Sequence, residues 1–271
     1  ILALSFTAAC GSGQSTASNS TDSDDITQQT YKPGKLTIAT GQPAYEPWVM
    51  NDKPESGEGY EAAVAYAVAD KLGFKKSDVV WTRTAFDTAI APGAKDWDFN
   101  IQQFGITDER KKAVDFSSSY YNDSQSVVVK KDSKFANATK VSDLKDATVG
   151  VMVGTLAYDY AKANIKDDIQ TFNDDAALAQ ALDAGQIDAL VTSTVECVYM
   201  VQSEQVKDSK VLGRLPDSED KSGMGIVLPK DSKLTAAVTK AVDDLNADGT
   251  IKKLQDKWLA EYTTDLTELK K

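Results

Sequence analysis

The sequence has no histidine among its 271 residues and only two cysteines, Cys10 and Cys197. Histidine is the usual general base at neutral pH and the commonest metal ligand. Its absence excludes Ser-His-Asp and Cys-His nucleophilic sites, and we expect neither a metal nor a cofactor. Two cysteines are too few for a disulfide framework. Cys197 is expected to be a small buried residue in a helix.

Positive charge is scarce as well. Lysine and arginine number 30 against 41 aspartates and glutamates, which gives a net charge of −11 and a pI of about 4.6. Such a chain has no cationic field with which to release phosphate counterions, so nucleic acid is not an expected partner. The arginines are Arg83, Arg110 and Arg214. Because lysine provides the general solubility, we expect each arginine to be used for its planar fork.

The N-terminal residues are typical of an exported protein. Residues 1–9 are apolar or small and end in Ala8-Ala9-Cys10-Gly11, which looks like the end of a signal peptide followed by a lipobox cysteine. This apolar run is too short to span a bilayer. Residues 11–30 are almost entirely small and polar, and such a segment behaves as a flexible linker. We therefore expect a signal-peptide remnant at 1–9, a lipid on Cys10 and a tether over 10–34; an ordinary secretion signal with an incidental cysteine is the alternative.

Beyond the tether, strand and helix patterns alternate, which predicts an α/β fold with mostly parallel sheets. Short apolar runs predict the strands, and apolar residues at helical spacing predict the helices. The predicted strands cover 35–40, 79–82, 126–130, 147–153, 187–192 and 223–228, and the main predicted helices cover 61–72, 173–184, 235–245 and 250–259.

The segment 96–110 is the most informative stretch of the chain. It reads as an extended segment, a glycine at Gly105, and a helix start capped by Thr107, with Arg110 at the edge of that turn. A guanidinium beside a glycine N–H can bind a carboxylate through paired hydrogen bonds. The alternative is a solvated surface pair between Arg110 and one of the neighbouring carboxylates Asp108, Glu109 and Asp115.

Several spaced motifs occur in one order along the chain: Asp98, Ile106-Thr107-Asp108-Glu109-Arg110, Val114-Asp115-Phe116-Ser117, Tyr120-Tyr121, Val141-Ser142-Asp143-Leu144-Lys145, Val149-Gly150-Val151-Met152-Val153-Gly154-Thr155, Ala247-Asp248-Gly249-Thr250, Lys253 and Lys257-Trp258. In this order they resemble a known family, the extracellular solute-binding proteins of ABC transporters, of the polar amino-acid-binding type. The resemblance covers roughly Lys35 to Tyr262.

The resemblance implies a type II periplasmic-binding-protein-like fold, in which two α/β lobes are joined by a two-strand hinge. The first lobe would comprise 35–122 plus 223–271, and the second lobe 123–222. It implies that Arg110 binds the α-carboxylate of the ligand, helped by backbone N–H groups at Gly105 and at Gly154-Thr155-Leu156. Tyr45 and Phe86 would sandwich the aliphatic part of the ligand.

This chain also departs from the family pattern at positions expected to contact the ligand. Gly105 stands where Ser or Thr is usual, and Gln102 and Gln103 stand where small residues are usual. Ser193 replaces the aspartate that receives the ligand ammonium, which leaves Glu196 as the nearest carboxylate in the next turn. Gln42 replaces the aspartate that many binders of basic amino acids use. These departures favour a polar, uncharged or amide-bearing amino acid. The candidate ligand-binding residues are Gln42, Tyr45, Phe86, Gln102, Gln103, Gly105, Arg110, Thr155, Leu156, Ser193 and Glu196.

We therefore expect a monomeric, non-enzymatic binding protein, held by lipid on the extracellular face of a Gram-positive bacterial membrane. It would capture a polar amino acid and deliver it to the permease subunits of an ABC importer. Two alternatives stay open at this point: a ligand-sensing or adhesive surface lipoprotein, and a cyclohexadienyl-dehydratase-like enzyme on the same fold. The enzyme would need a positioned acid, such as Glu196 with a raised pKa in a cleft.

Overall fold

The computed structural model describes residues 25–263 and 265–271. Cys10, the expected signal remnant and residues 10–24 of the expected tether lie outside this range. Residues 25–34 were expected to belong to the tether, but they pack on the folded unit. Asp98 explains this difference, because its carboxylate accepts the N–H of Tyr31 and the N–H of Thr37, both at 2.6 Å.

The first sheet and its helices form what we call the first lobe. Its strand order is β2-β1-β3-β10-β4. The strands are β1 (Leu36–Thr40), β2 (Val79–Arg83), β3 (Phe99–Asn100), β4 (Val114–Tyr121) and β10 (Met224–Pro229), and the helices are α1 (Tyr60–Lys71), α2 (Phe86–Ile90), α6 (Thr235–Ala247) and α7 (Thr250–Trp258).

The second sheet and its helices form the second lobe, with strand order β7-β6-β8-β5-β9. The strands are β5 (Gln125–Lys130), β6 (Val149–Met152), β7 (Gln170–Phe172), β8 (Ala189–Ser193) and β9 (Ser209–Arg214), and the helices are α3 (Leu156–Asn164), α4 (Asp175–Asp183) and α5 (Thr194–Gln202). Short 3-10 turns lie at Ile26–Gln28, Met50–Asp52, Pro54–Ser56, Lys76–Asp78, Arg110–Lys112, Val141–Leu144 and Ala260–Tyr262.

The expectation of mostly parallel sheets was only partly correct. In each sheet one strand runs against the other four: β10 in the first sheet and β5 in the second. These are the strands through which the chain enters each sheet from the other lobe. Because each reversed strand has a neighbour on both sides, half of the strand pairings are antiparallel, while β2-β1-β3 and β7-β6-β8 are parallel.

Two crossover segments connect the lobes and lie side by side. The first is the short link between β4 and β5, and the second links β9 to β10. The N–H of Asp220 donates to the carbonyl of Asp123 at 2.9 Å, and the Asn122 side-chain amide donates to the carbonyl of Asp220 at 2.9 Å. The paired crossovers are therefore a natural hinge.

The C-terminal residues 265–271 differ from the expected division, which assigned 223–271 to the first lobe. They lie along β9 of the second lobe, where Arg214 N–H donates to the carbonyl of Thr267 at 2.9 Å and Leu269 N–H donates to the carbonyl of Arg214 at 2.8 Å. Leu269 is buried among the apolar residues of the second lobe. Burial of this leucine and pairing with an edge strand explain the placement.

Each lobe has its own apolar core. The first is built on large aromatic residues, including Trp48, Tyr60 and Phe99, and the second on valines of β5, β6 and β8. The central strands β1 and β6 are buried along their whole length, as expected for strands covered by helices on both faces. Across the described ranges, no helix combines the length and the apolar composition that crossing a membrane requires.

Candidate ligand-binding site

A cavity lies between the two lobes, beside the crossovers. Ten of the eleven candidate ligand-binding residues line it: Tyr45, Phe86, Gln102, Gln103, Gly105, Arg110, Thr155, Leu156, Ser193 and Glu196. Gln42 does not line it. This side chain is exposed to solvent, while its neighbours Gly41 and Pro43 face the cavity. The absence of an acidic residue at position 42 therefore gives no information about the charge of the cavity lining.

Arg110 bridges the two lobes at one end of the cavity. Its Nη1 donates to the carbonyl of Gly105 in the first lobe at 2.7 Å, and its Nη2 donates to the carbonyl of Gly154 in the second lobe at 2.8 Å. Thr107 Oγ1 accepts the N–H of Arg110 at 3.1 Å and fixes the turn that carries it. The carbonyls hold the guanidinium plane but leave its charge uncompensated.

The alternative of a surface ion pair for Arg110 is excluded. Lys111, Lys112 and Lys230 occupy the three neighbouring carboxylates, Asp108, Glu109 and Asp115 respectively. Burial lowers the pKa of the Arg110 guanidinium, and the charges of Asp159 and Asp220 oppose that change. An arginine side chain stays protonated even when it is buried, so Arg110 presents a desolvated positive charge to the cavity.

The first turn of α3 contributes backbone donors beside Arg110. Thr155 is the N-cap: its Oγ1 accepts the N–H of Tyr158 at 3.2 Å and donates to the carbonyl of Met152 at 2.8 Å. The N–H groups at the start of a helix have no intrahelical acceptor and favour an anion. Thr155 thus shapes the turn, and its hydroxyl is already used.

Gly105 and Leu156 meet across the cleft. A Cβ built on Gly105 would lie 2.5 Å from Leu156 Cδ1 and 2.7 Å from Asp220 Oδ2. Neither distance is compatible with van der Waals contact. Only a residue without a Cβ therefore allows Leu156 and Asp220 to approach this position so closely.

The aromatic residues are arranged differently from a simple sandwich. Phe86 stacks on Phe104 with ring centroids 4.4 Å apart, and the guanidinium carbon of Arg110 lies 5.5 Å from the Phe86 centroid. The hydroxyl of Tyr45 accepts the N–H of Ala176 at 3.3 Å across the cleft. Tyr45 therefore links the lobes in addition to lining the cavity.

Gln103, but not Gln102, is held by a buried glutamate that the sequence did not indicate. Glu61 of α1 accepts the backbone N–H of Gln103 at 2.8 Å, and its carboxylate also bonds the Gln103 amide and the Tyr120 hydroxyl. Gln103 has a φ of 51°, a left-handed conformation that these bonds stabilise. Burial raises the pKa of Glu61 to about 7. Gln102 Oε1 is buried and has no hydrogen-bond partner among the described residues.

Ser193 is the N-cap of α5, and its hydroxyl accepts the N–H of Glu196 at 3.3 Å. Glu196 is 4% exposed and accepts the indole N–H of Trp48 from the first lobe. Burial and the nearby charge of Asp175 raise the pKa of Glu196 well above its ordinary value. Asp123 lies beside Ser193 and accepts the N–H of Ser124 at 2.7 Å; burial raises its pKa to about 6.

Sequence reasoning missed three carboxylates that line the cavity: Asp123, Asp175 and Asp220. Asp175 follows the helix cap Asp174 directly, and an acid in the first turn is explained by the helix dipole alone. Asp123 and Asp220 lie on the crossovers, where the resemblance located a hinge but gave no role to side chains. Their position at the hinge was the one signal that could have found them, because crossover residues face the cleft.

The comparisons with known proteins agree with this geometry. The sequence model of the bacterial extracellular solute-binding proteins, family 3, matches residues 36–261. The chain belongs to this family. It is 30% identical over 223 residues to the L-cystine-binding protein TcyJ of Escherichia coli (strain K12), an alignment that covers 81% of each chain.

Two solved structures give the same result. One is an ancestral arginine-binding protein bound to arginine, with a TM-score of 0.71 and 31% identity over 83% of this chain and 98% of that chain. The other is the ancestral amino acid-binding protein AncCDT-1, a precursor of cyclohexadienyl dehydratase, with a TM-score of 0.69 and 30% identity over 83% of this chain and 95% of that chain. The expected two-lobed type II fold is confirmed, and the family is one of amino-acid-binding proteins.

Proposed function

We propose that this solute-binding protein captures a polar amino acid between its lobes and delivers it to the permease of an ABC importer. The observation that carries the proposal is the position of Arg110. Its guanidinium is hydrogen-bonded to a carbonyl of each lobe, at Gly105 and Gly154, and keeps its charge for a ligand. A carboxylate placed there would also meet the donors at the start of α3.

Closure of the lobes would complete the site. Contacts that cross the cleft, from Trp48 to Glu196 and from Tyr45 to Ala176, join walls that a hinge motion would separate. A ligand held by both walls binds the closed form better than the open one and shifts the population towards it. The closed form is then the state that a permease can distinguish from the empty protein.

Binding can be tested first by thermal shift against the common amino acids. A ligand at one hundred times its dissociation constant adds about 2.7 kcal/mol to the free energy of unfolding. We expect a clear rise in melting temperature with at least one amino acid. If none produces a rise, the cleft has another class of ligand.

Delivery to a permease separates the transport function from the sensing or adhesive alternative. Uptake of the labelled ligand by cells that lack the protein should fall, and return when the protein is supplied. Unchanged uptake would favour a sensor or an adhesin.

The proposed location is the extracellular face of a Gram-positive membrane, with a monomeric protein held by a lipid on Cys10. The support is the sequence Ala8-Ala9-Cys10-Gly11 and the polar tract after it. The variant Cys10→Ala should release the protein into the medium with its folded part intact. If this variant is retained on the membrane like the parent protein, the lipid anchor is not at Cys10.

The enzymatic alternative has one observation in its favour, since Glu196 is a buried acid with a raised pKa in a cleft. However, one oxygen of Glu196 is engaged by Trp48, and the repulsion from Asp175 accounts for part of the change in pKa. We expect no turnover of a cyclohexadienyl amino acid. The measurement is ultraviolet absorbance of the aromatic product, and loss of any activity in Glu196→Gln would establish the enzyme instead.

A further inference from the structure

A further link between the lobes follows the part of the chain that matches the family. Leu259 is 1% exposed in the core of the first lobe, and Leu269 is 4% exposed in the core of the second. The chain therefore passes between the lobes once more, in addition to the two crossovers. The family model matches residues 36–261, so residues 265–271, which we call the tail, lie beyond the matched region.

Backbone hydrogen bonds hold the tail along both of its edges. On one edge, two bonds join it to Arg214 of β9. On the other edge, the N–H of Lys270 donates to the carbonyl of Thr139 at 2.9 Å, and the carbonyl of Lys270 accepts the N–H of Val141 at 2.8 Å. The tail therefore extends the second sheet past its edge strand β9 and uses backbone groups that an edge would leave unpaired.

The second lobe has a place shaped for the tail. A Cβ built on Gly213 of β9 would lie 2.6 Å from the carbonyl oxygen of Thr267 and 3.3 Å from Leu269 Cδ2. Glycine at this position therefore allows the tail to approach β9 closely. Leu269 enters the same apolar cluster as Leu215 and the valines of β5 and β6. Pairing on two edges, a glycine at the contact and a buried leucine distinguish this docking from a loose surface contact.

The residues that lead to the tail run beside the hinge. Tyr262 lines the same surface groove as Asn122 and Lys221 of the two crossovers. The carbonyl of Glu261 accepts the side-chain amide of Gln202, at the end of α5, at 3.2 Å. The chain is therefore in contact with the second lobe as soon as it leaves the core of the first.

The length of this connection limits how far apart its two ends can lie. Thr267 is eight positions beyond Leu259, and eight extended residues span at most about 26–29 Å. Ala260–Tyr262 form a 3-10 turn, in which the N–H of Tyr262 donates to the carbonyl of Leu259 at 2.9 Å. Such a turn advances only about 2 Å per residue. Wide separation of the lobes must therefore unwind this turn or pull Leu269 out of its core.

We propose that the tail is a strap that limits how far the lobes separate in the ligand-free protein. The two crossovers form a hinge that permits rotation, and an additional link docked on the second lobe restricts that rotation. A restricted open state has less conformational freedom to lose when the lobes close. The restriction depends on the lobes alone and is the same whatever ligand the cleft takes.

Spin labels on the two lobes measure their separation directly. In their sheets, β2 and β7 are the edge strands farthest from the strands that carry the crossovers, so positions just before them move most when the hinge opens. Ser77→Cys and Asp168→Cys place labels at exposed positions there. The labelled protein also carries Cys10→Ala, and Cys197 is buried. Double electron–electron resonance on the ligand-free protein then gives the distance between the labels.

The first variant lengthens the strap without removing the tail. About ten Gly and Ser residues inserted after Thr263 add a flexible reach of roughly 17 Å, and the tail keeps a high effective concentration for docking. The same insertion after Gly93, in an exposed loop of the first lobe, is the control. We expect a longer mean distance between the labels in the strap insertion than in this control.

Hydrogen exchange of the Leu269 and Lys270 amides shows whether the tail stays docked in the insertion variant. Protected amides together with a longer distance show that the short connection restrains the lobes. A distance equal to that of the control overturns the proposal whether or not these amides are protected, because the short connection is absent in both cases.

The second variant, Leu269→Ala, removes the buried anchor of the tail. Val149→Ala is the matched control, because it removes apolar volume from the same core at a fully buried position on β6. The melting temperature should fall in both variants, but the distance between the labels should lengthen only in Leu269→Ala. Equal distances in the two variants would show that the tail only fills the core of the second lobe, which would overturn the strap.

Discussion

Arg110 differs from the other two arginines in what its guanidinium touches. Arg83 forms an ion pair with Asp52, and Arg214 lies 3.6 Å from Glu268. Arg110 bonds two neutral carbonyl oxygens instead. Carbonyls can orient a guanidinium without neutralising it, so Arg110 keeps its charge for a carboxylate that arrives with the ligand.

The first prediction concerns replacement of this side chain. Arg110→Ala should weaken ligand binding by roughly two to four decades, because loss of a buried ion-pair partner costs about 3–5 kcal/mol. Arg110→Lys should also bind weakly, since an ammonium cannot reproduce the planar fork or bridge both carbonyls. Calorimetric titration is the measurement, and Arg214→Lys is the control. Binding by Arg110→Ala within threefold of the parent protein would place the carboxylate elsewhere.

The second prediction concerns Gly105 and Leu156, whose contact makes the glycine necessary. Gly105→Ala places a methyl group 2.5 Å from Leu156 Cδ1, so the closed cleft must open slightly. We expect at least tenfold weaker ligand binding and little change in the melting temperature of the unliganded protein. Adding Leu156→Ala should recover part of the loss, with a coupling of about 1–2 kcal/mol in the double-mutant cycle. Additive effects would show that the two residues do not meet in the bound state.

Residues of the site differ in how far the sequence could predict them. Arg110 could be predicted because arginine is rare in this chain and because its motif is distinctive. Asp175 could not be predicted as a site residue, because consecutive acids at a helix start are fully explained by capping and by the helix dipole. Gln42 was assigned from its place in a motif, and the path of the loop turns its side chain to solvent. Pattern therefore identifies the segment that forms a wall, while the backbone path decides which side chain faces inwards.

At the scale of elements, the helices α4 and α5 both begin at the cleft with an acid in the first turn. Asp174 caps α4 by accepting the N–H of Ala177 at 2.8 Å, and Asp175 follows it. Glu196 is the third residue of α5 after the cap Ser193 and lies in the first turn as well. A helix N-terminus stabilises a nearby negative charge, which helps to retain both carboxylates in a buried site.

The third prediction follows from the pKa of Asp175, raised from 3.8 to about 6 by burial, with the charge of Asp174 adding to the rise and the Thr192 hydroxyl opposing it. The folded protein then binds this proton more tightly than the unfolded chain does. The resulting stability is fully present below pH 3.8 and is lost as the pH rises through about 6. The whole change corresponds to roughly 3 kcal/mol.

Asp175→Asn removes this titration and leaves the other groups that face it, Glu196 of α5 and Tyr45 of the first lobe. Denaturant unfolding of ligand-free protein is the measurement. We expect the free energy of unfolding of the variant, relative to the parent protein, to increase between pH 4 and pH 7. A pH-independent difference would show that Asp175 titrates normally in the folded state.

The elements that sequence patterns missed share a physical cause. β4 has the sequence Val114 to Tyr121 with three consecutive serines, and its residues are buried without strict alternation. β7 and β9 are edge strands with few fully buried residues. In contrast, β5 and β6 are almost entirely buried, and the valines of each strand form a short apolar run. The central strands and long helices were therefore predictable, and the edges and strand directions were not.

At the scale of the whole molecule, the lobes also touch outside the cavity. Tyr199 of α5 donates its hydroxyl hydrogen to Glu46 Oε2 of the first lobe at 3.1 Å. Neither residue lines the cavity. A contact of this kind stabilises the closed form relative to the open form, and it does so without touching the ligand.

The last prediction separates closure from ligand contact. Tyr199→Phe keeps the ring, which packs against Tyr262 with centroids 5.8 Å apart, and removes the hydroxyl that donates to Glu46. A hydrogen bond to a charged partner that is hydrated again on opening is worth about 1 kcal/mol, so affinity should fall roughly fivefold. The substitution destabilises the closed form, which is reached after the ligand has bound. The loss of affinity should therefore appear mainly as faster dissociation of the ligand.

Stopped-flow dissociation and small-angle scattering test this together. The ligand-free variant should have a larger radius of gyration than the parent protein, and both should have the same radius at saturating ligand. Tyr158→Phe is the control, because that hydroxyl only accepts from Lys162 on the same helix at 3.3 Å. If Tyr199→Phe releases ligand at the parental rate, the bond between Tyr199 and Glu46 has no part in holding the lobes together. A slower association with unchanged dissociation would likewise contradict it, because that result would place the contact before the ligand is captured.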